Sequence, residues 1–135
     1  MINDKLTKEL QKQITDNKSS ITGNYNYSTK ETNTYKKWID EKPIYRKVYQ
    51  FTTPSTENSW IPLGQTGVNI DTVVDFTGTV LEASQNKYNS INFGEGDYYI
   101  HTAIYAGNNR DINMIQKGWS SLPCVIILEY TKATD

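Results

Sequence analysis

The chain has 135 residues, a length that is typical of one domain and sufficient to bury a hydrophobic core. Lys and Arg number 14 against 15 Asp and Glu, so the sequence lacks the cationic excess of a broadly basic nucleic-acid binder. The 16 Thr, 13 Asn and 9 Ser favour strands, turns and hydrogen-bonding surfaces, while ten Tyr argue against intrinsic disorder.

Residues 1–22 are predicted to form a helix, because good helix formers dominate and neither Gly nor Pro occurs before Gly23. The sparse apolar positions fit a heptad frame with two seam positions: Thr7, Ile14 and Ile21, and Asn3, Leu10 and Asn17. Asn at a seam position fixes register and oligomeric state at a cost in stability. We therefore expect the end of a coiled-coil stalk or a helix packed against copies of itself, and a frayed, solvated helix is the alternative.

The N-terminal segment does not predict a secretory signal, because Lys5, Lys8 and Lys12 interrupt any apolar run. No apolar stretch reaches the roughly 18–20 residues that span a bilayer, so we do not expect membrane insertion. Cys124 is the single cysteine, which excludes an internal disulfide, and its apolar neighbours predict a buried hydrophobic side chain. These features indicate synthesis in the cytoplasm, and action outside the cell would require another route, such as release with a particle.

Residues 23–33 are predicted to be a linker, and residues 34–135 a β-sandwich head domain. After Gly23 the pattern becomes strand-like, with turn chemistry between the strands and no helical period. The predicted strands are Thr34–Ile39, Ile44–Thr52, Trp60–Leu63, Ile70–Val80, Tyr88–Phe93, Tyr98–Ala106, Asp111–Ile115 and Val125–Tyr130. This spacing predicts an all-β fold, an antiparallel, jelly-roll-like sandwich behind a short N-terminal helix.

Two stretches carry a resemblance to a known family. The first covers residues 27–32 and 35–48 and contains the run Trp38-Ile39-Asp40-Glu41-Lys42-Pro43-Ile44-Tyr45-Arg46-Lys47. The second is Leu128-Glu129-Tyr130-Thr131-Lys132-Ala133-Thr134-Asp135. Together they resemble the opening and closing segments of a C-terminal domain of tail-fibre, head-fibre and other virion proteins from phages of Gram-positive bacteria. The segment Asn69-Ile70-Asp71-Thr72 also resembles that family.

The resemblance brackets residues 27–135 and implies a virion structural or host-attachment role, often in a trimer, with no enzymatic activity and no cofactor. One position departs from the family, which usually has Gly where this chain has Glu41. We therefore expect a changed geometry in the turn before Lys42 and Pro43. The same segment also has a plain physical interpretation, since Pro43 fixes its own φ and biases Lys42 away from helix, so a folding role is favoured over a direct ligand role.

The sequence contains no recognisable catalytic or metal-binding motif. His101 is the only histidine and lies inside a predicted strand, where a packed or surface side chain is favoured over a catalytic base. Glu95 and Asp97 lie among glycines, but their spacing matches no known calcium loop, so a solvated turn is favoured. Paired carboxylates for glycoside cleavage are available at many positions, and spacing does not choose among them. A small enzyme or regulator therefore stays open only as a third hypothesis.

Binding suits this composition better, because aromatic rings stack on the apolar faces of sugars while Asn, Asp and Arg hydrogen-bond their hydroxyls. Aromatic residues that adjoin polar loops are the candidates, together with Arg110, which lies in a Gly-Asn-Asn turn and suits a phosphate or carboxylate. The candidate ligand-binding residues are Trp60, Tyr105, Asn108, Asn109, Arg110, Asp111 and Trp119. For each aromatic residue, a place in the core or in a subunit interface is the alternative.

The sequence therefore predicts a homotrimeric virion domain that attaches a phage to a bacterial surface glycan or teichoic acid, with other virion proteins as possible partners. The main alternative is a purely structural module that trimerises or caps a fibre. Neither hypothesis involves nucleic acid, a metal or a cofactor.

Overall fold

The computed structural model describes residues 5–14 and 26–135. A helix, α1, covers residues 5–14, and the remaining described residues form mainly strands. The strands are β1 (Thr32–Lys37), β2 (Pro43–Thr52), β3 (Ile61–Gln65), β4 (Asn69–Glu82), β5 (Lys87–Ser90), β6 (Phe93–Glu95), β7 (Tyr98–Ile104), β8 (Gly107–Asn108), β9 (Asp111–Lys117) and β10 (Pro123–Lys132). A single 3-10 turn, Ala83–Gln85, joins β4 to β5.

The strands form two antiparallel sheets, which confirms the predicted all-β sandwich. The first sheet has the order β1-β2-β10-β4-β5, with β8 added beside β4, and the second has the order β3-β9-β7-β6. The chain changes sheet between β2 and β3, and it does so repeatedly before β10, as in Greek-key and jelly-roll architectures. The last strand, β10, lies in the middle of the first sheet between β2 and β4.

The hydrophobic core fills the space between the two sheets. Alternate residues of β10 point into it, since Cys124, Ile126, Leu128 and Tyr130 are all at most 2% exposed. One cluster packs Ile126, Leu128 and Tyr130 of the first sheet against Ile112 of the second. The other packs Val80 and Cys124 against Ile100, Met114 and Trp119. The period-2 alternation of these residues explains why they form strands, since each strand buries one face.

The predicted strand Tyr88–Phe93 is in fact two strands that belong to different sheets. β5 pairs with β4 in the first sheet, whereas β6 pairs with β7 in the second sheet. The chain bends at Ile91, which is fully buried, and Thr102 Oγ1 donates to the Ile91 carbonyl oxygen at 3.0 Å. The run is apolar at both ends, so its pattern does not reveal the change of sheet.

The predicted linker is partly integrated into the sandwich. β1 begins at Thr32, inside the range 23–33, and the Val48 amide donates to the Ser28 carbonyl oxygen at 2.9 Å. Tyr27 lies under the guanidinium of Arg46, 4.7 Å from its ring centroid. Residues 26–31 therefore belong with the β domain, while residues 23–25 lie outside the described part of the chain.

The N-terminal helix presents an apolar stripe to solvent. Leu6, Leu10 and Ile14 follow the i, i+4, i+8 spacing of one helical face, and their exposed fractions are 52%, 58% and 65%. The predicted seam residues Asn3, Asn17 and Ile21 lie outside the described residues, as does all of the predicted helix beyond residue 14. Within residues 5–14 the heptad frame is therefore represented by Thr7, Leu10 and Ile14.

Candidate functional site

The seven residues predicted from the sequence lie at two opposite ends of the second sheet. Tyr105–Asp111 connects β7 to β9 at one end, and Trp119 follows β9 at the other. Asp111 and Lys117 bound β9, so the two ends are about 20 Å apart at the rise of an antiparallel strand. Ile61 pairs with Met114, which places Trp60 toward the Trp119 end. The structure therefore divides the predicted set into two separate surfaces.

At the first end, Asn109 organises the loop. It adopts a positive φ of 49°, its amide donates to the Val68 carbonyl oxygen at 2.8 Å, and its Oδ1 accepts from the Gly67 amide at 2.8 Å. Its Nδ2 also donates to Gln65 Oε1 at 3.1 Å. Both ends of the Asn109 side chain are therefore used within the protein, which gives this residue a structural role rather than a free ligand-binding amide.

Arg110 and Tyr105 form the accessible part of the same loop. The guanidinium lies 5.2 Å from the centroid of the Tyr105 ring, and Tyr105 is 48% exposed. Among the described ion pairs none involves Arg110. Asn108 pairs with Asn69 in the short β8 ladder, and Asp111 pairs with Gln65. A stacked guanidinium with free N–H groups can bind a phosphate, a carboxylate or sugar hydroxyls.

At the second end, Gln116 attaches the loop before Trp60 to β9. Gln116 is fully buried, and its Nε2 lies within hydrogen-bond distance of the carbonyl oxygens of Pro54 and Thr56. Its Oε1 accepts from the Trp119 amide at 2.9 Å. Trp60 itself is 51% exposed. The loop that presents Trp60 is thus held by a buried amide with its hydrogen bonds satisfied.

Trp119 belongs to the core rather than to an exposed loop. It is 6% exposed and meets Phe93 edge to face, with ring centroids 6.1 Å apart. Its Nε1 is shielded from solvent and has no hydrogen-bond partner. Trp119 therefore has the core position that was the alternative to an exposed ligand-binding ring, because the tight turn at Gly118, with a φ of 81°, directs the next residue inward.

One face of Trp119 nevertheless lines a cavity of about 440 Å³. Three aromatic side chains contribute to this aromatic cavity: Phe93, Tyr98 and Trp119. Phe93 and Tyr98 are 43% and 66% exposed, so their rings are accessible at its mouth. Gly118 leaves room for the Tyr98 ring, because a Cβ at Gly118 would lie 2.5 Å from Tyr98 Cδ1.

Polar side chains complete the aromatic cavity. Glu82 and Lys87 face each other across the β4–β5 ladder, and Gln85 ends the 3-10 turn between these strands. None of the described hydrogen bonds or ion pairs involves these three side chains. None of Phe93, Tyr98, Glu82, Gln85 and Lys87 was a predicted site residue. The two aromatic residues lie within predicted strands, and polar residues in a short turn resemble any solvated turn.

The two segments that resemble the phage family meet in space. Arg46 of β2 lies opposite Glu129 of β10, and Arg46 Nη2 is 3.2 Å from Glu129 Oε2. Tyr130 Oη donates to Glu31 Oε1 at 2.5 Å, and Lys132 Nζ is 3.0 Å from Glu31 Oε2. Burial and the Glu31 hydrogen bond raise the pKa of Tyr130, while the Glu31 contact raises the pKa of Lys132. These contacts support the folding role that was predicted for the motif.

The other residues that the sequence offered for catalysis or metal binding do not lie together. His101 is exposed on β7 and stacks on Tyr99, with ring centroids 5.7 Å apart. Asp97 is 3.5 Å from Lys117 Nζ at the surface. Over residues 5–14 and 26–135, no group of three or more His, Cys, Asp or Glu side chains is arranged to hold a metal ion. Within the same ranges, no helix is long and apolar enough to cross a membrane.

In comparisons with known proteins, no family model, no curated protein and no solved structure matches the chain.

Proposed function

We propose that this chain is a fibre or tail domain of a phage virion, which attaches the particle to the surface of a Gram-positive host by binding a wall glycan or teichoic acid without catalysis. It is assembled in the host cytoplasm and released with the particle. The active form is a homotrimer, in which α1 aligns three copies.

The observation that carries the proposal is the arrangement of accessible aromatic rings beside unpaired polar groups at both ends of the second sheet. Tyr105 and Arg110 occupy one end, and the aromatic cavity occupies the other. Such pairs of apolar ring and polar group are suited to saccharides, which present C–H faces and hydroxyls together. The meeting of the two resembling segments, through Arg46 and Glu129, also supports a shared fold with the phage family.

The alternative is a purely structural module that trimerises or caps a fibre. The exposed stripe of Leu6, Leu10 and Ile14 favours it, because three apolar side chains on one helical face are stabilised by burial against other helices. Both functions predict a trimer, so the oligomeric state alone does not distinguish them.

Sedimentation of the protein with purified Gram-positive cell walls tests the proposal. We expect the wild-type protein to co-sediment, and we expect Arg110→Ala to reduce the bound fraction without lowering thermal stability. Lys37→Ala is the matched control, since it also removes one exposed cation and lies on β1, in the other sheet. Analysis of the walls for released fragments tests the absence of catalysis.

Light scattering coupled to size exclusion supplies the second measurement. A trimer that binds walls supports the attachment function. A trimer that binds none of the tested host walls supports the structural alternative. A monomer, or the enzymatic release of wall fragments after stringent purification, contradicts the proposal.

A further inference from the structure

We propose that the aromatic cavity binds one neutral hexose unit of an uncharged wall polysaccharide, rather than the phosphodiester of a teichoic acid. This inference rests on the proposed attachment function and specifies the ligand class for one of its two surfaces.

The size and the walls of the aromatic cavity suit a sugar ring. Its volume of about 440 Å³ lies at the small end of the range for ligand sites. The Trp119 indole forms a rigid wall that is already packed against Phe93. Tyr98 stands at the mouth, where a ring that is 66% exposed offers its face to the C–H groups of a pyranose.

The Tyr98 ring packs against the backbone of Gly118. Gly118 has a φ of 81°, and its Cα faces the Tyr98 ring so closely that no larger residue fits without displacing it. The Gly118 amide in turn donates to Glu57 Oε2 at 3.3 Å. A ring that already packs against the backbone on one side has less conformational freedom to lose on binding than a fully free ring, which favours a stacking role.

The polar groups distinguish a neutral sugar from an anion. Glu82 only accepts hydrogen bonds, Lys87 only donates them, and Gln85 does both. A hydroxyl group also donates and accepts, so a polyhydroxylated ring can satisfy all three side chains, none of which has a protein partner among the described contacts. A phosphodiester only accepts hydrogen bonds, and it would be attracted by Lys87 but repelled by Glu82. The opposed charges therefore favour the neutral ligand.

Ligand-observed and protein-observed NMR test this inference with defined probes. The neutral probes are the methyl glycosides of glucose, galactose, rhamnose and N-acetylglucosamine, and the anionic probe is glycerol phosphate. We expect at least one glycoside to shift the ring signals of Tyr98 and Phe93, with an affinity in the millimolar range, and we expect glycerol phosphate to leave them unchanged. Tyr98→Ala should weaken the glycoside about tenfold, which corresponds to the loss of one stacking contact.

Tyr88→Ala is the matched control, because Tyr88 is 61% exposed on the neighbouring strand β5 and does not line the aromatic cavity. Glu82→Gln keeps the shape of the site and removes its negative charge, so it should weaken glycoside binding and permit glycerol phosphate to bind.

Three results would overturn the inference: no glycoside shifts these signals, glycerol phosphate shifts them in the wild-type protein, or Tyr88→Ala weakens binding as much as Tyr98→Ala. If Arg110→Ala still reduces the fraction bound to cell walls in that case, the proposed attachment function stands. Only the ligand proposed for the aromatic cavity is then wrong.

Discussion

Glu41 occupies a backbone conformation that favours glycine. Its φ is 69°, and the turn is closed by the Glu41 amide, which donates to the Trp38 carbonyl oxygen at 2.9 Å. The Trp38 amide donates back to the Lys42 carbonyl oxygen at 3.0 Å. The left-handed geometry is therefore present with Glu at this position, and a difference from the turn of the resembling family stays a prediction. The cost is the crowding of a Cβ at positive φ.

We predict that Glu41→Gly stabilises the domain. Relief of the left-handed strain is worth about 1–2 kcal/mol, and the greater freedom of glycine in the unfolded chain removes part of that gain, which leaves about 0.5–1 kcal/mol. Urea denaturation measures the free energy of unfolding. Glu41→Ala is the control, because it removes the charge but keeps the Cβ. Equal stability of the Gly and Ala variants would contradict the prediction.

Cys124 makes the stability of the domain sensitive to alkaline pH. Burial raises the pKa of its thiol to about 11 from the ordinary value of 9.0, although the hydrogen bond from the Phe51 backbone opposes the shift. Because the folded pKa is the higher one, the folded state keeps its proton where the unfolded chain has lost it. The stabilising contribution is present in full below pH 9 and is lost as the pH rises through about 11.

Between pH 8 and pH 11, we therefore expect the wild-type protein to lose about 2 kcal/mol more unfolding free energy than Cys124→Ala. The comparison cancels the titration of the tyrosines, which both proteins share. Urea denaturation at the two pH values gives the difference. Parallel losses in both proteins would show that the thiol does not contribute.

At the scale of strands, the β4–β10 ladder depends on a close approach at Gly78. This residue pairs with Ile126, and a Cβ added to it would overlap the Val125 carbonyl oxygen and meet Ile91 Cδ1 at 3.0 Å. The strand β10 therefore lies so close to β4 that no side chain fits at Gly78. Ile91 fills the space on the core side.

We predict that Gly78→Ala destabilises the domain by about 3 kcal/mol or prevents folding, because the overlapping atom belongs to the backbone of a central strand and cannot move away easily. Thr77→Ala is the control on the same strand, where an exposed side chain predicts a change below about 1 kcal/mol. Circular dichroism with urea compares the two variants. Equal midpoints would contradict the close approach.

The strands and the core were largely predictable, because β10 and its neighbours alternate apolar and polar residues along their length. The failures occurred where a local pattern carries no information on tertiary position. An apolar residue such as Ile91 is compatible with a strand of either sheet. The apolar run around it therefore did not reveal the bend between β5 and β6. Trp119 follows a glycine in a polar loop, a pattern that did not decide between an exposed ring and a core ring, and it packs under Phe93. Glu82 and Lys87 became candidates only when the fold placed them beside three rings.

For the whole molecule, the proposed trimer and the proposed attachment function are connected through the stripe on α1. If Leu6, Leu10 and Ile14 bring three heads together, weak contacts at each head combine into tight binding of a repeating surface polymer. The affinity of one aromatic cavity for a free glycoside does not depend on this association.

Replacement of Leu6, Leu10 and Ile14 by Ser should therefore yield a monomer whose wall affinity is about 10²–10⁴-fold lower, while glycoside binding followed by NMR is unchanged. Lys8→Ser on the same helix is the control and should remain trimeric. Light scattering and wall sedimentation measure the two effects. A trimer that persists without the stripe, or a monomer with unchanged wall affinity, would contradict the prediction.

The placement of β10 also has a consequence for biosynthesis. Residues 123–132 form the strand between β2 and β4, so each of those strands lacks one of its two neighbours until almost the entire described chain has left the ribosome. Until then the first sheet has two open edges, which invite pairing with other nascent chains. Closure of the first sheet therefore waits until Pro123–Lys132 has been synthesised, and a product that stops before Pro123 lacks the centre of its own sheet.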